Sequence, residues 1–325
     1  MKKDQVRIIG KSIVFISICF VLLYVVNYFY FKLIIPETIT YRRNNFFQEH
    51  VSGIPNKNID FIFFGSSHTA NGINPKYIPN SYNLADSGMT YIEMYYELRK
   101  AIDYDKVKVE NIILELDPHM FYRRFEDGKY LFRDFWYYSQ FASINELRGI
   151  NNSSFINLLV KSKFPVIGDS IKFGILISKP VQKEIYLGWQ KSDGIIKYNK
   201  KDVEMIEERI SGEQGMSELR FEYLKKTIEL AKNNNINVFF IKNPHPKDYE
   251  ELLFMNNFVY NDYYDDVFDK IDLLKGDNNY KVLDYYGVFH ENDEYFTDLV
   301  HLNYKGAEIY SKKINEDIAK YRNNK

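Results

Sequence analysis

The chain has 325 residues, 45% hydrophobic and 27% charged, which suits an α/β domain carrying an insertion and an appendage, or two average domains, and excludes a wholly disordered, collagenous or polytopic membrane protein. Its 43 basic and 44 acidic residues leave a formal charge of -1; no overall basic field exists to hold a nucleic-acid backbone, and no nucleic-acid partner is expected. The one cysteine, Cys19, excludes an intrachain disulfide and every paired-cysteine zinc or redox motif.

Between Lys11 and Lys32 no residue is charged, and Ser12 to Phe31 reads SIVFISICFVLLYVVNYFYF. A helix of about 20 residues spans roughly 30 Å, the hydrocarbon thickness of a bilayer. A buried soluble helix rarely runs so far without a charge. A cleaved signal peptide would have a shorter apolar region ending in small residues, whereas this run ends in Tyr, Phe and Lys. The reading is an uncleaved signal anchor. Lys2, Lys3, Arg7 and Lys11 precede the span against Lys32, Arg42 and Arg43 after it, which favours a cytoplasmic N-terminus. Tyr24, Tyr28, Phe29 and Tyr30 form an aromatic belt at the outer end. The expected organisation is a cytoplasmic N-terminus (1–11), a transmembrane anchor (12–35), a polar juxtamembrane connector (36–58) and an extracytoplasmic domain (59–325).

In that domain Asp60-Phe-Ile-Phe-Phe64 is a short apolar run stopped by Gly65-Ser66-Ser67, the pattern of a strand buried on both faces. Tyr82 to Ala85 is a second strand candidate. Thr90 and Glu93 form a capping-box signature for a helix through about Ile102. Asn111 to Leu116 predicts a third strand, closed by Asp117-Pro118. The alternation returns with a helix over 217–233, a strand over 236–241, a helical stretch over 247–274 and a strand over 280–285. Asn303 caps a last helix with Ala307, Tyr310, Ile314, Ile318 and Tyr321 on one face. Such alternation predicts a three-layer α/β sandwich with a central parallel sheet.

Residues of about 120–215 break the rhythm. They hold Trp136, Trp189 and a Lys-rich apolar stretch over 158–182, and read as a helical insertion. It is either a lobe that packs on the core or a surface docking onto the membrane or a membrane partner.

Open α/β sheets bind ligands beyond the carboxyl ends of their strands. Gly65-Ser66-Ser67-His68, Asp86-Ser87-Gly88 and Asp117-Pro118-His119 fall at such ends, and Asp298-Leu-Val-His301 lies just before the final helix. Read singly, the first is equally a serine-capped turn and the last a loop salt bridge; their order favours a serine–histidine–aspartate site. His68 reads as a supporting residue, and His50, His245 and His290 as surface positions. Gly10-Lys11-Ser12 lacks the first glycine of a phosphate loop, and no His-Glu-x-x-His motif or dinucleotide fingerprint occurs. No metal and no cofactor are expected. Asn151-Asn152-Ser153 matches a glycosylation acceptor by chance as easily as by use.

The blocks FFGSSHT, NLADSGMT, ILELDPHMF and FTDLVHLNYKG resemble, in order and spacing over residues 59–315, those of the SGNH (GDSL-type) hydrolase superfamily. They are most similar to its membrane-anchored members in cell-envelope acylation, such as the lipoteichoic-acid D-alanylation protein and alginate-acetylation proteins. The resemblance implies a flavodoxin-like sandwich, Ser67 as nucleophile, His301 as general base and Asp298 as its orienting carboxylate. It assigns the oxyanion to the backbone N–H groups of Ser67 and Gly88 and to a third-block side chain. Many members carry Asn there; Asp117-Pro118-His119 departs from that pattern, leaving His119 as the candidate. Ser66 stands where Asp is usual, as in the acylation branch.

What the resemblance implies is an acyl-transfer enzyme on the outer face of the membrane, moving an acetyl or D-alanyl group to a surface glycan or teichoic polymer. A polytopic membrane O-acyltransferase would be its partner. A polysaccharide O-acetyl esterase with the same triad and an inactive glycan-binding scaffold are the alternatives.

Overall fold

The computed structural model describes residues 3–121, 135–151, 154–168, 185–194, 217–249, 269 and 280–322. Two compact units make up the chain, one of residues 1–42 with 133–182, the other of residues 43–132 with 183–325. In chain order the strands are β1 (Asn58–Phe64), β2 (Ser81–Asn83), β3 (Lys108–Glu115), β4 (Ile185–Tyr186), β5 (Trp189–Gln190), β6 (Asn237–Lys242) and β7 (Lys281–Asp284). The described helices longer than one 3-10 turn are α1 (Lys3–Leu33), α2 (Ile39–Gly53), α3 (Ser67–Gly72), α4 (Tyr91–Asp103), α5 (Phe135–Tyr138), α6 (Ile144–Asn151), α7 (Phe155–Lys163), α8 (Pro165–Gly168), α9 (Glu218–Asn233) and α10 (Tyr304–Arg322).

The second unit is built on a five-stranded sheet of order β2-β1-β3-β6-β7, parallel throughout. Every residue from Phe61 to Phe64 is buried, as a strand covered on both faces requires. On one face Phe61, Phe63, Ile113, Phe239 and Ile241 meet Tyr310, Ile314 and Ile318 of α10, the stripe that its spacing predicts. α4 and α9 pack together, burying Ile92, Met94 and Leu98 against the sheet side along with Leu224, Ile228 and Ala231. The capping box forms as expected: Thr90 accepts from the Ile92 N–H, and Glu93 accepts from the Thr90 N–H at 2.9 Å. The chain is therefore the expected three-layer α/β sandwich with a central parallel sheet.

The connector expected to be merely polar contains a 15-residue helix, α2. Arg43, Phe47 and Val51 are all buried and fall four residues apart, on one helical face. Phe47 packs on Tyr82 at 4.9 Å between ring centroids, and the Tyr82 hydroxyl donates to the Arg43 carbonyl. The Arg43 guanidinium pairs with Glu97 of α4 at 2.8 Å and with Asp86 at 3.2 Å. A single basic residue amid polar neighbours disguised that face in the sequence.

In the first unit, Gln5–Glu37 contains an 18-residue stretch with a mean hydropathy of 2.4, none of it buried. Among the described residues this is the one stretch long and apolar enough to cross a membrane. Of the insertion, α5 to α8 and the β4–β5 pair are described. Most of the helical stretch expected over 247–274, part of the Lys-rich stretch and the Asn152-Ser153 portion of the acceptor motif lie outside the described residues.

Candidate active site

β1 turns to β2 on one side and, after α4, to β3 on the other. The ends of β1 and β3 thus border the topological switch point, where open parallel sheets hold their ligands. Gly65 ends β1 at a place where a Cβ would run into the Glu115 carboxylate and the Thr69 side chain. Ser66 caps α3, its side chain accepting from the His68 N–H, and Ser67 is the first helical residue. Asn83 fixes the other end of α3 by donating to the carbonyls of Thr69 and Ile73 at 2.9 and 2.8 Å.

Ser67 Oγ lies 2.7 Å from His301 Nε2, and His301 Nδ1 lies 2.8 Å from Asp298 Oδ2. Asp298 Oδ1 also accepts from the backbone N–H groups of Val300 and His301, each at 2.9 Å. A bond from the Thr297 N–H to the His301 carbonyl at 2.8 Å closes the loop. Burial pushes the Asp298 carboxyl up, but the His301 bond and charge and the two N–H groups hold it below the usual carboxylate range. An ionised Asp298 selects the tautomer with the proton on Nδ1, which leaves Nε2 free to accept from the serine hydroxyl. The Asp298 side chain is 48% exposed and that of His301 24%, so the triad lies at a solvent-open rim.

Beneath Ser67 lies a buried polar network. Glu115 accepts from the Ser66 N–H, the Ser66 hydroxyl and the Thr69 hydroxyl, each at 2.7 Å, and from His119 Nε2 at 3.1 Å. Asp117 accepts from His68 Nδ1 at 3.1 Å and from the Asn243 backbone and side-chain N–H groups at 3.0 Å. Burial drives His68 down to about 4, the charge on His119 adding to that effect against the Asp117 bond, so the ring is neutral near pH 7. His119 goes the other way: burial lowers it, but the Glu115 bond and charge outweigh burial. Burial raises Asp117, yet His245 and His68 beside it hold it well below the carboxylate range.

Donor atoms of His68, Glu115, Asp117 and His119 all lie within 4.8 Å of one another, a spacing a metal ion could bridge. Each carboxylate oxygen of the cluster already accepts a hydrogen bond from an N–H or O–H donor, so a metal ion would compete there with these donors.

The structure brings Ser67, Asp298 and His301 into one hydrogen-bonded line. Gly88 sits third in the turn Asp86–Met89, closed by the Met89 N–H on the Asp86 carbonyl, with φ 72°, a region that glycine enters without strain. The Asp86 N–H donates to the Gly65 carbonyl at 3.1 Å, which sets this turn against the nucleophile loop. His119 spends Nε2 on Glu115 and on Ser66 Oγ, 2.9 Å away; only Nδ1 remains for a substrate oxyanion. His68 supports the network through Asp117, as expected.

His245 corrects the sequence reading: it is 1% exposed, not a surface residue, with its ring 5.0 Å from His68. His50 and His290 are likewise only partly exposed. Glu115, Asn243 and the β4–β5 hairpin were missed as well. Gly188, at φ 86°, brings the hairpin so close to β2 that a Cβ would meet the Asn83 carbonyl. Trp189 then donates to the Asn71 carbonyl at 2.7 Å and Gln190 to Asp86 at 3.2 Å, while Ser192 meets Thr297 at 3.0 Å. A charged residue inside the apolar strand IILEL and a Pro-His at the end of β6 were the available signals for Glu115 and His245.

A protein-family model matches residues 180–323, under half of the chain. A search of curated proteins returned no match. Among solved structures, the chain is similar to a candidate acylhydrolase from Bacteroides fragilis NCTC 9343, at 11% identity and TM-score 0.39, over 85% of this chain and 95% of that one. It is also similar to a GDSL-like lipase from Bacteroides thetaiotaomicron VPI-5482, at 11% identity and TM-score 0.40, over 87% of this chain and 100% of that one.

Proposed function

We propose that the protein is a membrane-anchored serine enzyme of acyl transfer. The carrying observation is the unbroken line Ser67 Oγ, His301, Asp298, with steps of 2.7 and 2.8 Å. His301 takes the Ser67 proton as Oγ attacks an ester or thioester carbonyl, and the leaving group departs with that proton. A hydroxyl of a second molecule, deprotonated by the same imidazole, then takes the acyl group and frees Ser67. Backbone N–H groups at the start of α3 and in the Gly88 turn are the donors assigned to the oxyanion.

The substrate class proposed is an acetyl or D-alanyl group passed to a cell-surface glycan or teichoic polymer. A polytopic membrane O-acyltransferase would supply the acyl group from across the bilayer. The unburied apolar helix α1 supports an anchor, and the basic residues before it favour a sheet unit outside the cytoplasm. Two further observations support surface chemistry: the triad rim is open to solvent, as a polymeric acceptor requires, and no step needs a cofactor. Hydrolysis, with water as acceptor, is the second reading that the same open rim favours.

Ser67→Ala in the source cell should abolish acylation of the surface polymer while the protein stays abundant; retained acylation defeats the proposal. Incubating the protein with a chromogenic acetyl ester and a glycan acceptor separates transfer from hydrolysis by the product formed.

A further inference from the structure

We infer that α7 and α8 lie in the lipid headgroup layer of the membrane that α1 crosses, making the anchor a helix with an interfacial foot. The inference rests on the proposed membrane anchor and concerns the first unit alone. Four observations carry it. The foot joins α1 within the apolar run: the Asn27 side chain donates to the Lys163 carbonyl at 3.1 Å, and Phe31 packs edge-on against Trp136 of α5 at 5.9 Å between centroids. Asn27 lies about 6 Å along the helix before Phe31, inside the depth of roughly 5–10 Å to which interfacial helices sink. The C-terminus of α7 is thus held at the level where hydrocarbon gives way to headgroups.

The exposed surface of the foot is also apolar. Ile156 is 72% exposed and Ile167 53%, with Phe155 and Leu159 beside them, while Leu158 is the one residue of α7 buried among its neighbours. A soluble protein seldom leaves so much contiguous aliphatic and aromatic surface on a short element. The charge pattern suits anionic lipid: α7 ends in Lys161 and Lys163 and carries no acidic residue, so its stems can lie along the acyl boundary while the ammonium groups reach phosphate. Finally, Tyr24, Tyr28 and Phe29, all exposed, ring α1 beside this junction, where aromatic residues sit at a membrane–water boundary. Lipid is the occupant that explains all four; a membrane-embedded partner protein would explain the apolar face but not the join at Asn27.

Cys19, exposed on α1, makes the test direct. The full chain is reconstituted in nanodiscs of phosphatidylcholine and phosphatidylglycerol with an environment-sensitive dye at one position at a time: native Cys19, or Ile156→Cys and Leu159→Cys in a Cys19→Ser background. At 156 and 159 the dye should be quenched most by a headgroup spin label, and its quenching by aqueous iodide should fall at least about threefold against free dye. Dye at Cys19 should respond to a deep spin label instead. If Cys19 is lipid-shielded but 156 and 159 are as open to iodide as free dye, the foot is overturned and the anchor stands. If Cys19 itself is open to iodide, the anchor fails and takes the foot with it. Shielding at 156 that needs a second membrane protein in the disc also overturns the lipid assignment.

Discussion

Glu115 holds Ser66 by both of its carboxylate oxygens, one accepting the backbone N–H and the other the hydroxyl, each at 2.7 Å and across 49 residues of chain. The residue before the proposed nucleophile is therefore fixed by the end of the neighbouring strand. Its geometry follows from sheet register, because Phe64 pairs with Leu114 in the β1–β3 ladder.

Glu115→Gln tests that clamp. A neutral amide offers one acceptor and brings two donors where the site supplies Ser66, Thr69 and His119 as donors, so at least one buried group loses its partner. The expected cost is about 2–4 kcal/mol of unfolding free energy, measured by urea titration at pH 7. A loss under about 0.5 kcal/mol would mean the network relaxes freely and does not set the Ser67 turn.

Asp298→Asn should leave stability nearly unchanged but lower kcat by about 10²–10³-fold, with little change in KM. The amide can stabilise the wrong tautomer and cannot stabilise an imidazolium. The loss should be smaller than for a fully buried carboxylate, because Asp298 is half exposed and water can take part of its place. Steady-state kinetics on a chromogenic ester decide it: an unchanged kcat would remove Asp298 from the proposed triad.

His68 gives the fold a pH dependence of known sign. Its folded-state value of about 4 lies below its ordinary 6.5, so between those values the unfolded chain binds the extra proton. Stability from this group is complete above pH 6.5 and is lost as the pH falls toward 4, with a slope of up to about 1.4 kcal/mol per pH unit. The groups facing it act outside that interval: Glu115 and Asp117, held below their ordinary 4.5 and 3.8, lose their contribution at lower pH, and His119, raised above 6.5, loses its own at higher pH. Comparison with His68→Asn, which keeps a donor for Asp117, isolates the ring. Urea midpoints between pH 4.5 and 7 should be flatter for the variant; parallel profiles would show that His68 takes up its proton equally in the folded and unfolded chain, against a lowered value.

The parallel sheet was legible because Asp60–Phe64, Asn111–Leu116 and Ile236–Ile241 are short apolar runs stopped by polar turns, and the strand ends shift by at most three residues. The four polar blocks were legible because each follows such a run or precedes the last helix. α2 was not, since its inward face is built from Arg43, Phe47 and Val51, and a buried arginine reads as solvated until its partners Glu97 and Asp86 are known. Glu115 was passed over as the polar end of a strand, although a carboxylate in a fully buried run needs donors nearby. His245 was read as exposed because no partner stands at a usable spacing from it in the sequence. Yet it lies three residues beyond the carboxyl end of β6, where the other blocks follow their strands, and that position was the usable clue.

The bond between Ser67 and His301, 234 residues apart in the chain, carries the account, and covalent labelling tests it most directly. Intact-mass and peptide spectrometry after treatment with a fluorophosphonate should find one adduct, on Ser67, in the parent protein. Labelling should be lost in Ser67→Ala and slowed by at least about 10²-fold in His301→Ala, with both variants folded. A parent protein that takes no label, or one whose Ser67 labels at the same rate without His301, would contradict the account.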